Sequence, residues 1–279
     1  MKVLYSSSDF NSWRKTISPS SSVGFVPTMG ALHEGHLSLV KASLKNADIT
    51  IVSIFVNPKQ FSAGEDFDTY PRDLEDDLNK LKQYNVDVVF VPGVDDIFGD
   101  PGGAIVFNHP FSKTLEGGSR PHFFPGVLSV VSILFNIVRP DFAHFGRKDA
   151  QQLILIEKMV SDLGSPITII PGDTVRELGG LAMSSRNEYL TDKQKGSAKI
   201  LFRSLKFAKK LLDEGGVDSI VIKREIKNIL CLEKNIKIDY ISIVHLDSLL
   251  EVSRDIRGPV LVSIALFIGS VRLIDNIFY

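Results

Sequence analysis

The stretch that decides the fold is Val23-Gly24-Phe25-Val26-Pro27-Thr28-Met29-Gly30-Ala31-Leu32-His33-Glu34-Gly35-His36, followed by a helical pattern to Lys45. Val23–Pro27 is a short apolar run of the kind that forms a strand covered on both faces. From His36 to Lys45, Leu37, Val40 and Leu44 recur at helical spacing. A buried strand that turns directly into a helix leaves free backbone N–H groups and the positive end of the helix dipole at the turn. Gly30 and Gly35 allow close backbone approach there. His33 and His36, three apart, share a face if the turn is helical, and two imidazoles beside a phosphate can donate hydrogen bonds to developing charge. The alternatives are two surface histidines near a helix cap, or a metal pair. The metal reading lacks the Glu of a HExxH helix and an obvious third ligand.

The same alternation continues outward. Ile49–Asn57, Val86–Pro92, Phe142–Phe145 and Ile167–Pro171 read as further strands, with helices over 72–83, 127–138 and 151–163 between them. The sequence therefore predicts an α/β fold with a doubly wound, mostly parallel sheet, whose ligands sit beyond the C-terminal strand ends. After Gly179-Gly180 the pattern changes. A Lys-rich helix over 192–212 and a second over 217–231 precede strands over 237–245, 259–268 and 271–278. This predicts a second, smaller α+β domain, with the division placed at residue 176: domain 1–176 and domain 177–279.

Composition removes several classes. One Cys in 279 residues excludes an internal disulfide framework and a zinc site built on cysteines. The longest apolar run, Val260–Ile268, is far short of the ~20 residues of a membrane span. The opening Met1-Lys2-Val3-Leu4-Tyr5-Ser6 turns polar too early for a signal peptide. With 32 Lys+Arg against 33 Asp+Glu, broad nucleic-acid affinity is not expected. No strand is followed by GxGxxG, which disfavours a dinucleotide-dependent oxidoreductase. The expectation is a cytoplasmic protein with no nucleic-acid or membrane partner.

Four blocks in order carry a resemblance. The His33-x-Gly35-His36 element resembles the HIGH signature of nucleotidyltransferases, which bind ATP on a Rossmann-like sheet. Pro27–His36, Ser53-Ile54-Phe55-Val56-Asn57-Pro58-x-Gln60-Phe61, Phe145-Gly146-x-Lys148-Asp149-x-Gln151-Gln152 and Gly180-Leu181-Ala182-Met183-Ser184-Ser185-Arg186-Asn187 together resemble the pantothenate synthetase family. The C-terminal part matches mainly through Arg272-Leu273-Ile274-Asp275-Asn276.

The resemblance implies that pantoate, β-alanine and ATP give pantothenate, AMP and pyrophosphate through a pantoyl-adenylate. It implies a homodimer, and Mg²⁺ bridging the ATP phosphates. It assigns catalysis to His36, His33 and Lys148. ATP contacts fall on Met29, Gly30, Ala31, Leu32, His33, Glu34, Gly35 and His36, on Gly146, Arg147, Lys148 and Asp149, and on Val175, Met183, Ser184, Ser185 and Arg186. Gln60 and Gln152 would hold pantoate and β-alanine. Met183–Arg186 resembles the KMSKS loop and is expected to act as a flexible phosphate clamp; a simple mobile linker is the alternative. Asp149 could equally cap a helix, Val175 could be core, and Gln60 and Gln152 could face solvent. Asp76 and Asp77 match acids near the family's metal, but read equally as a solvated helix face and are not assigned as ligands.

The sequence departs from the family at Lys59, at Phe98-Gly99, at Arg147 and in Arg120–Gly126, where His122 stands one position early. Two rival readings remain: a transferase that leaves the nucleotide on its substrate, and a non-catalytic ATP-binding protein.

Overall fold

The computed structural model describes residues 1–99 and 107–279. In chain order the elements are β1 (Lys2–Leu4), α1 (Ser7–Arg14), β2 (Val23–Thr28), α2 (Glu34–Asn46), β3 (Ile49–Ile54), α3 (Leu74–Gln83), β4 (Val88–Phe90), α4 (Val94–Phe98), α5 (Leu115–Ser119), α6 (Phe123–Val138), β5 (Phe142–Gly146), α7 (Ala150–Asp162) and β6 (Thr168–Gly172). There follow α8 (Asp192–Ala198), α9 (Ile200–Asp213), α10 (Ser219–Leu230), β7 (Ile236–His245), β8 (Val260–Ile268) and β9 (Val271–Phe278).

The first six strands form one parallel sheet in the order β1-β4-β3-β2-β5-β6. The continuous apolar runs serve both of its faces. Phe25, Ile51 and Val88 point into a core shared with α1, α6 and α7, while Val26, Val52 and Val89 point into a second core under α2 and α3. Order reverses at β2, which has β3 on one side and β5 on the other, so the loops leaving β2 and β5 diverge over a crevice.

The second sheet is antiparallel, in the order β7-β8-β9. One face packs under α9 and α10 through Val262, Ile264 and Leu266. On the other, Val244 and Leu261 pack against Ala150, Phe111 and Leu115 of the first half. Polar contacts reinforce this junction. Arg272 on β9 makes a two-pronged ion pair with the buried Glu116 of α5, at 2.6 and 2.9 Å, and the Tyr240 hydroxyl donates to the same carboxylate at 2.8 Å.

Several bounds differ from the sequence reading. Strand β1 and helix α1 lie outside the predicted elements: β1 is a three-residue edge strand, and α1 buries only Phe10. Strand β3 ends at Ile54 rather than Asn57, and β4 covers only Val88–Phe90. Helix α6 starts at Phe123 rather than 127, because Pro125 lies in the first turn, where no intrahelical N–H is needed. The expected helix over 192–212 is two, α8 and α9, divided at Lys199 just after the weak helix formers Gly196 and Ser197.

One close approach sets the later geometry. A Cβ at Gly126, in the first turns of α6, would collide with the Lys59 carbonyl and crowd the Gln60 amide. Gly126→Ala is expected to cost about 1–3 kcal/mol, lowering Tm by roughly 3–10 °C in a melting scan. An unchanged Tm would show that this packing is not tight.

Candidate active site

The turn after β2 is strained and held from below. Gly30 and Ala31 both take positive φ, 82° and 50°. The buried Asp77 of α3 compensates: its two oxygens accept the Ala31 and Leu32 N–H groups at 2.9 and 2.7 Å. Burial pushes the Asp77 carboxyl up, against the opposing pull of those two N–H donors. Lys80 adds a bond to the Leu32 carbonyl at 2.7 Å and pairs with Asp76. Asp76 and Asp77 are therefore engaged in shaping the loop.

The fixed turn delivers the two histidines. His33 caps α2, its Nδ1 accepting the Gly35 N–H at 3.1 Å, and His36 Nδ1 accepts the His33 N–H at 3.4 Å. Their rings stack, with centroids 4.0 Å apart. Burial lowers the His33 pKa to about 4, with Lys148 adding to the effect, and holds His36 well below its ordinary value, with His33 and Lys148 assisting. Both imidazoles are thus neutral near pH 7. With each Nδ1 accepting, the bonding pattern assigns the proton to Nε2, and neither Nε2 has a hydrogen-bond partner among the described residues.

Lys148 and Asp149 lie in the tight turn Arg147–Asp149 that follows β5, the neighbour of β2. Lys148 Nζ is 3.4 Å from Asp149. Gln60 is buried after β3, its amide held between Asn57 Nδ2 at 3.1 Å and Met29. Gln152 opens into the crevice, whereas Gln151 is buried and ties α7 to the Phe111 and Thr114 carbonyls.

The Met183–Arg186 segment is docked rather than loose. Ser185 is buried and donates to the Ala31 carbonyl at 3.2 Å, Met183 N–H bonds Val175, and Arg186 makes two 2.9 Å bonds to Asp66. The expected flexible clamp is, in this structure, a loop fastened across the His33 turn.

Two cavities occupy the crevice. The inner one, about 230 Å³, is lined by Met29, His33, Gly35, His36, Gln60, Gly146, Val175, Met183 and Ser185, among others. The outer one, about 930 Å³, opens between the two sheets. They share Phe123, Lys148, Asp149, Gln152, Ser184 and Arg186. Other expected residues lie outside both. Gly30, Ala31 and Leu32 form the back of the turn, Glu34 faces solvent beside Lys41, and Arg147 runs over the Phe278 ring.

Sequence reasoning missed Asn57, read only as a turn residue, and Asp66. Asn57 is buried in the inner cavity and also bonds the Gly126 carbonyl at 3.1 Å. Its signal was its place inside the 53–61 block. The departures from the family are accommodated locally: Lys59 Nζ stands 3.9 Å over the Phe98 ring. His122 lies 3.7 Å from Glu65 and lines neither cavity. Burial would raise the Glu65 carboxyl, but the Arg120 guanidinium, in two bonds of 2.8 and 2.6 Å, brings it down to about 2.

Unpartnered neutral N–H donors and a lysine converging beyond two adjacent parallel strands suit an anionic phosphorus centre. On this fold they define the class of nucleotide-activating enzymes. The family model for pantoate-beta-alanine ligase matches residues 2–278. A pantothenate synthetase of Caldicellulosiruptor bescii is 47% identical over 264 residues, covering 95% of this chain and 93% of that protein. One from Thermosipho melanesiensis is 51% identical over 255 residues, 91% and 90% of the two chains. The crystal structure of pantothenate synthetase from Thermus thermophilus superposes with a TM-score of 0.93 at 38% identity over 99% of both chains. The Francisella tularensis enzyme, complexed with beta-gamma ATP and beta-alanine, gives 0.82 at 34% identity over 99% of this chain and 97% of that one. The chain belongs to the pantoate–β-alanine ligase family.

The neutral histidines give a pH prediction. His33's folded pKa, about 4, lies below its unfolded value of about 6.5. As pH falls, the unfolded chain takes up that proton first. The stability His33 contributes is full above pH 6.5 and is lost as pH falls toward 4. Its Cε1–H NMR resonance is expected to titrate near pH 4; a midpoint near 6.5 would contradict the burial argument.

Proposed function

We propose that this ligase condenses pantoate with β-alanine in two steps within the paired cavities, and the observation that carries the mechanism is the stacked His33–His36 pair lining the inner cavity together with Lys148. A carboxylate is a poor electrophile, since a basic oxide would have to leave. Gln60 and Gln152 hold pantoate so that a carboxylate oxygen faces the ATP α-phosphorus. That oxygen attacks in line, the bond to the bridging oxygen breaks, and pyrophosphate departs past Ser184 and Arg186.

The Nε2–H groups of His36 and His33 and the Lys148 ammonium meet the charge that builds on the α-phosphate. Because the imidazoles are neutral beforehand, they donate hydrogen bonds without losing a proton. The β-alanine amine then attacks the acyl carbon, the carbon–oxygen bond breaks, AMP leaves with that oxygen, and the amine proton is lost to solvent. Holding both acids in one crevice makes each step effectively intramolecular. Val175 and Met183, linked by a backbone bond, would wall the adenine.

Mg²⁺ belongs to the proposal as a passenger on the nucleotide. Among the described residues no group of three or more His, Cys, Asp or Glu could hold a metal. Asp149, half-exposed and lining both cavities, is a carboxylate that would meet such an ion, which would neutralise charge on the phosphates. The chain is proposed to divide at residue 176, the part over 177–279 acting as the lid, and to work as a cytoplasmic homodimer, a reading that family resemblance supports. Among the described residues no helix is long and apolar enough to cross a membrane.

The test follows AMP and pyrophosphate with MgATP, pantoate and β-alanine, omitting each acid in turn. AMP release that requires both is expected, and ATP binding without turnover would overturn the proposal. His36→Ala and Lys148→Ala should each lower kcat by on the order of 10²–10³. Near-wild-type turnover in both would remove them from the chemistry.

A further inference from the structure

The Arg272–Asn276 stretch is the family-like motif to which the mechanism gives no part. Asn276 is buried on β9, in the second sheet, yet its side chain acts on the first. Its Nδ2 donates to the Arg147 carbonyl at 3.1 Å and to the Lys148 carbonyl at 2.7 Å. An amide nitrogen has two hydrogens, and both are spent on the turn that presents Lys148.

The residue before it grips the other side of the crevice. Asp275, also buried, accepts from Arg176 Nη1 at 2.6 Å and Nη2 at 3.0 Å. Arg176 bonds the Gly180 carbonyl at 3.0 Å and bridges to Ala182, next to the Val175–Met183 backbone bond. Asp275 Oδ1 also accepts the Asn276 N–H at 2.8 Å. Two adjacent residues of β9 thus fasten the hairpin carrying the Ser184–Arg186 loop and the turn carrying Lys148. A backbone turn of three residues has few internal bonds of its own, so its two clamped carbonyls fix how Lys148 leaves it.

We propose that Asn276 is a positioning residue for adenylation: clamping the Arg147 and Lys148 carbonyls, with Asp275 setting its place relative to the nucleotide loop, it aims the Lys148 ammonium at the α-phosphate. This rests on the assignment of Lys148 above. It makes the second sheet part of the catalytic geometry as well as a cover.

The experiment uses the full-length enzyme and reads pantoate-dependent exchange of labelled pyrophosphate into ATP, which isolates adenylation. Asn276→Ala removes both donors; Asn276→Asp keeps the shape and replaces them with oxygen, and carries the test if the alanine variant does not fold. Each is expected to lower the maximal exchange rate roughly 10- to 100-fold, the scale of an ångström-level misplacement, with KM for ATP and pantoate changed less than about threefold. In a Lys148→Ala background the same substitutions should have almost no further effect on exchange, because the group they position is gone. Exchange at the wild-type rate in either folded variant would overturn the proposal. So would an equal loss with and without Lys148, which would mark a structural role only. If Lys148→Ala itself exchanges normally, the Lys148 assignment fails and the proposal falls with it; impaired exchange in Lys148→Ala beside wild-type exchange in the Asn276 variants overturns the clamp alone.

Discussion

The pairing of β2 with β5, side by side and parallel, is the constraint on which the site depends. It sets the turn after Thr28 and the turn after Gly146 on one sheet edge, while the helices that follow depart to opposite faces. His33 and His36 come from the first turn and Lys148 from the second, so three donors reach one place without any long loop having to find it. Covering both faces buries this edge, and burial keeps the histidines neutral. A core requirement and a chemical one are met by the same packing.

The charge inventory of the crevice follows from its neighbours. Lys148 is close to Asp149, Arg186 is bound by Asp66, and Arg120 is bound by Glu65. Each cation is therefore partnered before a polyanion arrives, which avoids leaving buried positive charges uncompensated. Arg186 gives only its Nε and Nη2 edge to Asp66, so its Nη1 is without a protein partner among the described residues. The two histidines can stand closely stacked because neither is charged.

Much of this was legible in the sequence. Continuous Val/Ile runs marked the two-sided parallel sheet, and the His33 and His36 picked out in the 28–36 turn do line the inner cavity beyond its strand ends. The chain's second sheet was visible in the change of pattern after Gly180. What stayed hidden was mostly long-range. Nothing local tells that Asp77 holds Ala31 and Leu32, that Asp66 meets Arg186 across 120 positions, or that Asn276 reaches Lys148 across 128. Short elements also escaped: β1 gains its meaning only from pairing with β4, and Pro125-Gly126 has the composition of a loop but forms the first turn of α6. The serine loop reads as mobile because its composition is polar; its partners, Ala31 and Asp66, lie far away in sequence.

In the proposed mechanism the pantoate carboxylate itself attacks the α-phosphorus. Pantoate labelled with ¹⁸O in both carboxylate oxygens tests it directly, with mass spectrometry of the products. One labelled oxygen in the AMP phosphate and the other in the amide carbonyl of pantothenate is the predicted result. AMP free of label, with the heavy oxygen in pyrophosphate or released to water, would rule out that attack.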